Sequence, residues 1–153
     1  MRDGPALITT RPMNNLDISR AQPRDTKIRI YGEDAFEGMR KAGQLAAEAL
    51  DMLADHVKPG TTTEQLDELV VAFAHARSAI PAPLNYRGFP RAICTSINHV
   101  VCHGIPNAKP LKDGDIVNID VTLILDGWHG DTSRMYAVGH IPRRAERLIE
   151  VTY

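Results

Sequence analysis

The chain has 153 residues, 43% of them apolar and 24% charged, with 18 basic side chains against 19 acidic ones. Those figures suit a single globular domain that buries roughly 68–70% of its unfolded surface, and they exclude a wholly disordered or collagen-like chain. A net charge of −1 and only 5% aromatic residues give no footing to a nucleic-acid or membrane partner, or to a base-stacking surface.

The first segment, residues 1–26, holds Pro5, Pro12 and Pro23 without any sustained period and is expected to be a mobile arm. Residues 27–153 should then form the folded part, beginning with a short extended piece at 27–31. From Asp34 to about His56, Phe36, Met39, Ala42, Ala46, Ala49, Leu50 and Leu53 recur at three and four, which predicts an amphipathic helix ended by Lys58-Pro59-Gly60. Thr61 and Glu64 have the spacing of a capping box for a second helix running to about Arg77, with Leu66, Leu69, Val70, Phe73 and Ala74 inward. His56 and His75 read as surface residues of these helices, and Pro81 and Pro83 predict a loop. Residues 92–96 and 100–102 are short β-prone pieces. Residues 116–125 and 128–138 are longer strands separated by Asp126-Gly127, a two-residue hairpin signal. Pro142 and the spacing of Ala145, Leu148, Ile149 and Thr152 announce a third helix, which reaches Tyr153 without a capping residue.

Candidate chemistry begins in the hairpin. With Asp126-Gly127 as the turn, Thr122 faces Asp131 and Asp120 faces Ser133, so Asp120, Thr122, His129, Asp131 and Ser133 share one face. Asp120 and Asp131 become diagonal neighbours with β-carbons roughly 7–8 Å apart. Ile119, Val121, Leu123 and Trp128 lie on the other face, toward the core. Two carboxylates so close require that one be protonated, that both face solvent, or that a cation sit between them. A divalent ion held by oxygen ligands is the sharper reading, and it needs further ligands from elsewhere. His103, at a strand end before Gly104 and Pro106, could ligate a metal, exchange a proton, or be a hydrogen-bonded structural residue. His99 and His140 read as structural, and His129 as ambiguous. Cys94 and Cys102 have neither a disulfide framework nor a zinc-ribbon spacing, so both are expected to be reduced thiols, and with no obvious base paired with either they read as small apolar strand residues and not as nucleophiles. With no apolar run near the ~18 residues of a membrane helix and no apolar signal core at the N-terminus, the cytoplasm is the expected location.

Three stretches resemble the type I methionine aminopeptidases: Asn85-Tyr86-Arg87-Gly88-Phe89-Pro90 through Cys94-Thr95-Ser96-Ile97-Asn98, then Val101-Cys102-His103-Gly104-Ile105-Pro106, then Leu111 to Thr122 followed by Gly130-Asp131-Thr132-Ser133. The resemblance runs from about Gly32 to Tyr153. No cysteine-histidine zinc module precedes it, as in the bacterial or organellar form. It implies an α+β chain, the N-terminal half of a pita-bread fold with two helices packed on an antiparallel sheet. It also implies two divalent metal ions (Co, Mn, Fe or Zn), with Asp120 chelating one and Asp131 bridging both. His103 would contact the scissile amide and assist proton transfer, while Tyr86, Phe89 and Cys94 line the methionine pocket. Asn98 and the backbone at Val100 match a monovalent-cation site. The implied partners are nascent polypeptides whose initiator methionine precedes a small residue, and the ribosome, for an enzyme that is monomeric at full length. The family's other metal ligands, one His and two Glu, fall in its second half, beyond the residues matched here. The chain is therefore expected to be the first half of such an enzyme and inactive alone. The alternative is a non-catalytic binding module on the same scaffold. Relatives that cleave before proline or hydrolyse creatine fit Cys102-His103-Gly104-Ile105-Pro106 less well.

Overall fold

Three helices and four strands follow one another as α1 (Glu33–Leu53), α2 (Thr63–Ala76), β1 (Ile80–Pro81), β2 (Cys94–Ile97), β3 (Ile116–Leu125), β4 (Trp128–Ala137) and α3 (Arg143–Thr152) in the computed structural model, which describes residues 28 and 30–153. The arm expected at 1–26, and most of the extended piece expected at 27–31, lie outside the described residues.

Helix α1 is built from good helix formers and carries Glu33 and Asp34 in its first turn, where carboxylates favour the N-terminal end of the macrodipole. Its buried stripe is Ala35, Ala42, Leu45, Ala46, Ala49, Leu50 and Leu53. Phe36 and Met39, expected inward, are 60% and 48% exposed. Close approach to β4 explains the difference. A Cβ on Gly130 would run into the Ala42 carbonyl, and one on Gly38 would run into the Trp128 ring. The face of α1 that meets β4 near Gly38 and Ala42 must therefore be made of small residues, and Phe36 and Met39 turn outward. The helix also stops at Leu53 instead of continuing to His56, since the amides of His56 and Val57 both turn back to the Leu53 carbonyl.

Helix α2 has the expected capping box one residue later. Thr62 Oγ1 accepts from the Gln65 amide at 3.2 Å, and Gln65 Oε1 accepts from the Thr62 amide at 2.9 Å. Thr61 is unavailable as the cap because its amide donates to Lys58 and its carbonyl accepts from Leu111 at 2.8 Å. Glu64, the other expected member, pairs with Arg91 instead.

β3 is the spine of an antiparallel sheet. One of its edges is paired along its whole length by β4, and the other carries β1 near Leu123 and β2 near Asp120. β1 stands where a loop was expected. Pro81 is tolerated there because it sits in a two-residue edge strand, and the Ala82 amide supplies a bond to the Thr122 carbonyl at 2.9 Å. Residues 100–102, expected to be β-prone, form no strand. Left-handed backbone at Asn98 (φ 53°) and His103 (φ 53°) lifts that segment away from the sheet, and the Val100 amide closes a turn onto the Ile97 carbonyl.

The core lies between α1, α2 and one face of the sheet. Ile119, Val121 and Leu123 are fully buried against Leu50, Leu53, Leu66 and Val70, each stabilising the fold by about 1.5–3 kcal/mol. Tyr136 is also buried, and its hydroxyl donates to the Leu50 carbonyl at 2.6 Å. Helix α3 starts after Pro142 as expected, and none of its residues is buried among the described ones.

Candidate metal centre and side-chain pocket

The turn between β3 and β4 has both central residues at positive φ, Asp126 at 51° and Gly127 at 84°, the conformation that matches the twist of the flanking strands. It sets the register expected from the sequence: Leu125 opposite Trp128, Thr122 opposite Asp131, and Asp120 opposite Ser133. Alternation then sends Ile119, Val121 and Leu123 into the core and Asp120, Thr122 and Asp131 to the opposite face. Trp128 is only half-buried, its ring edge-on to Tyr31 at 5.6 Å.

On that face the two carboxylates act on each other. Partial burial raises the pKa of Asp120. The negative charge of Asp131 and a hydrogen bond with it raise it further, and nearby His103 works in the opposite direction. Thr122, assigned no role in the sequence, donates its hydroxyl to Asp131 Oδ1 at 3.0 Å and fixes that carboxylate. A close pair of oxygen donors, one of which resists ionising through burial first and the charge of its neighbour second, suits a hard divalent cation whose charge would relieve the repulsion. The donor set fits such an ion but does not complete its shell. Among the described residues, no three His, Cys, Asp or Glu side chains are grouped so as to hold a metal ion.

His103 comes to the same place from a different part of the chain. Its left-handed backbone precedes Gly104, where an added Cβ would meet the Thr95 carbonyl. The Thr95 amide donates to the Gly104 carbonyl at 2.8 Å, and the Gly104 amide donates to Ser96 Oγ at 3.2 Å. Only glycine allows this approach, so the segment carrying His103 is clamped along β2.

A cleft of about 670 Å³ opens over the carboxylates, and Tyr86, Phe89, Cys94, His103, Asp120 and Asp131 all line it. Tyr86 sits in a 3₁₀ turn, Tyr86–Gly88, closed by the Asn85 amide bonding the Phe89 carbonyl at 2.8 Å. Cys94 pairs directly with Asp120 across β2 and β3. Burial, reinforced by the charge of Asp120, pushes its thiol up to about 11, so it is an uncharged wall residue and not a nucleophile. His129 also lines the cleft. Asn98 and Val100 lie in the turn after β2 and are not among its lining residues. The Asn98 side chain bonds Asp115 Oδ1 at 2.8 Å and the Ile116 amide at 3.1 Å.

Asp67 carries the signal that the sequence reading passed over. It is a carboxylate on the inward stripe of α2, between Leu66 and Val70, and it is buried. A charged residue at an inward helical position was the available clue.

Comparison with known proteins bears on the whole arrangement. Residues 37–153 match metallopeptidase family M24. The chain is 66% identical over 126 residues to a methionine aminopeptidase of Rickettsia prowazekii, a match covering 82% of this chain and 49% of that one. It is 43% identical over 151 residues to methionine aminopeptidase 1D, chloroplastic/mitochondrial, of Arabidopsis thaliana, covering 99% and 43%. The crystal structure of methionine aminopeptidase from Rickettsia prowazekii superposes with a TM-score of 0.82 at 65% identity, over 83% of this chain and 51% of that one. That from Thermotoga maritima gives 0.79 at 36% identity, over 82% and 51%. A prolidase from Pyrococcus horikoshii, 17% identical with a TM-score of 0.65, shares the fold alone. The chain spans about half the length of the curated relatives it matches. The α+β architecture is the pita-bread half expected from the sequence, and the chain belongs to metallopeptidase family M24.

Proposed function

We propose that this chain forms the carboxylate- and side-chain-binding half of a methionine aminopeptidase. The observation carrying the proposal is the convergence of Asp120, Asp131 and His103 with Tyr86, Phe89 and Cys94 on one cleft. In this reading Asp120 and Asp131 hold two divalent ions, of Co, Mn, Fe or Zn type, together with ligands from outside the described residues. Such ions, when bound, supply Lewis acidity and lower the pKa of a water molecule.

The chain's own residues bind and orient the substrate. Tyr86, Phe89 and Cys94 take the methionine side chain, an apolar and flexible thioether that suits aromatic and uncharged thiol walls. His103 contacts the scissile amide from the same cleft, where its imidazole assists proton transfer to the leaving amine. Thr122 keeps Asp131 from rotating toward bulk water. Asn98 and the backbone at Val100 form a monovalent-cation site outside the cleft. The resemblance extends the reading to nascent chains with a small second residue, to a monomeric enzyme near the ribosome, and to the cytoplasm.

The test compares the 153-residue chain with one extended C-terminally by the second half of a relative, each titrated with Mn²⁺ or Co²⁺ and assayed on Met-Ala-Ser. The extended chain should release methionine, and the 153-residue chain alone should not, because two carboxylates cannot fix two ions. Equal turnover by the short chain would refute the ligand assignment. An inactive extended chain that still binds metal would refute the aminopeptidase reading.

A further inference from the structure

Four polar side chains are buried among the described residues: Thr63, Asp67, Thr95 and Ser96. Three of them hold the backbone of the two segments that wall the cleft. Asp67 Oδ1 accepts from the amides of Ala92 at 2.8 Å and Ile93 at 3.1 Å, the residues that enter β2 just before Cys94. One helical turn back, Thr63 Oγ1 accepts from the Asn107 amide at 2.9 Å and donates to the Asn107 carbonyl at 3.2 Å. Asn107 closes the segment that carries His103 and Ile105, and Ser96 ties the same segment at Gly104. Arg91 completes the arrangement by pairing with Glu64 and lying 3.9 Å from Asp67 Oδ2.

Burying a carboxylate costs free energy, and an apolar residue on the inward stripe of α2 would serve core packing better. What the carboxylate adds is direction. One oxygen accepts two consecutive amides, which fixes both the position and the twist of the chain entering β2. Thr63, at i−4 on the same helix face, does the same for the opposite wall. The first two turns of α2 therefore act as a bracket behind the cleft. We propose that Asp67, supported by Thr63, is a positioning residue that sets the separation of the Cys94 and His103 walls, and so the side-chain selectivity of the candidate pocket. The selectivity part rests on the methionine-pocket reading above. The wall-setting part does not.

The experiment has two arms, both in a Cys102→Ser background: the first uses the 153-residue chain, and the second uses the C-terminally extended chain described above with Mn²⁺ supplied. The first measures amide hydrogen exchange at Ala92 and Ile93, and the rate of Cys94 modification by a neutral disulfide probe, with the core amide of Val121 as reference. Asp67→Ala leaves two buried donors unpaired and should speed both readouts about tenfold or more relative to Val121. Asp67→Asn keeps a carbonyl acceptor for both amides and should restore most of the protection. Thr63→Val should expose the Asn107 amide while leaving Cys94 protected; if Asp67→Ala does not fold, Asp67→Ser, whose hydroxyl is too short to reach both amides, stands in and should speed both readouts in the same way. Equal acceleration at Val121 and at Ala92, or no acceleration at all, would overturn the assignment. The second arm titrates L-methioninol and L-leucinol, and Asp67→Ala should reduce the preference between them at least threefold. Failure of the unsubstituted chain to bind methioninol would count against the methionine-pocket reading. Binding whose preference is unchanged in Asp67→Ala would overturn the selectivity role of Asp67.

Discussion

Three glycines in similar-looking sequence should respond to alanine in three different ways. Gly130 lies in β4 beside Asp131, and its Cβ would overlap the backbone carbonyl of Ala42 and approach the Gly43 amide. Helix backbone cannot rotate aside as a side chain can, so α1 must move away from the sheet along its most intimate contact. Overpacking of this kind costs about 1–3 kcal/mol. The rigid partner places Gly130→Ala at the upper end, equivalent to roughly 6–12 °C in Tm for a domain of this size. Gly127, at φ 84° in the turn, has no atom near its Cβ position. Alanine there meets only the left-handed backbone penalty of about 1–2 kcal/mol. Gly43, inside α1, also has open space around it and no positive φ. Gly43→Ala should stabilise by about 0.5–1 kcal/mol through helix propensity. Thermal and urea unfolding of the three variants, without added metal, check the order Gly43→Ala above the parent, then Gly127→Ala, then Gly130→Ala. If Gly130→Ala fell within 0.5 kcal/mol of the parent, the close packing of α1 on β4 would not control stability as argued. A destabilised Gly43→Ala would likewise refute the open-space reasoning.

Two further outcomes concern charge. Burial raises the folded-state pKa of Asp67 above its ordinary value of 3.8, despite the opposing amide bonds and Arg91. Its favourable contribution is therefore complete below the unfolded pKa and is lost as pH rises through the folded one. The stability of the parent relative to Asp67→Asn, from urea unfolding between pH 3 and 7, should fall with increasing pH, and a rising difference would show the wrong sign. Asp120 is also raised, by burial first and the charge of Asp131 second. With metal chelated at neutral pH, Asp120→Asn should therefore raise Tm, while millimolar Mn²⁺ should raise the Tm of the parent more than that of the variant. An Asp120→Asn chain less stable than the parent in chelator would mean that the repulsion is not felt in the folded state.

The hairpin was the most legible part of the site. Alternating side chains around Asp126-Gly127 are a local property, and once the turn forms, its two residues at positive φ leave one register available. That is why the shared face of Asp120, Thr122 and Asp131 could be derived without a fold. The capping box shifted by one residue because three adjacent residues, Thr61, Thr62 and Thr63, are all chemically able to cap. The hydrogen bond from Leu111, distant in sequence, removed Thr61 from the choice. Exposure of Phe36 and Met39 was unreadable for a similar reason. Periodicity locates an apolar stripe, but which side of that stripe meets the sheet depends on how closely the backbones approach, here at Gly130 and Gly38.

Sequence alone determined the elements whose information is short-range: the helix periods, the Asp-Gly turn, the carboxylate pair and the motifs that resemble methionine aminopeptidases. Tertiary structure decided everything that needs two distant segments at once. The meeting of His103 with Asp120, the half-burial of Trp128 on Gly38, and the buried Asp67 holding the amides of Ala92 and Ile93 from 25 and 26 residues away belong to that second group. The physical reason is that a buried polar group takes its meaning from the partner it satisfies. In the sequence Asp67 shows only as an acid at an inward helical position, and it becomes a determinant of the pocket wall only where the chain entering β2 brings the amides of Ala92 and Ile93 to it.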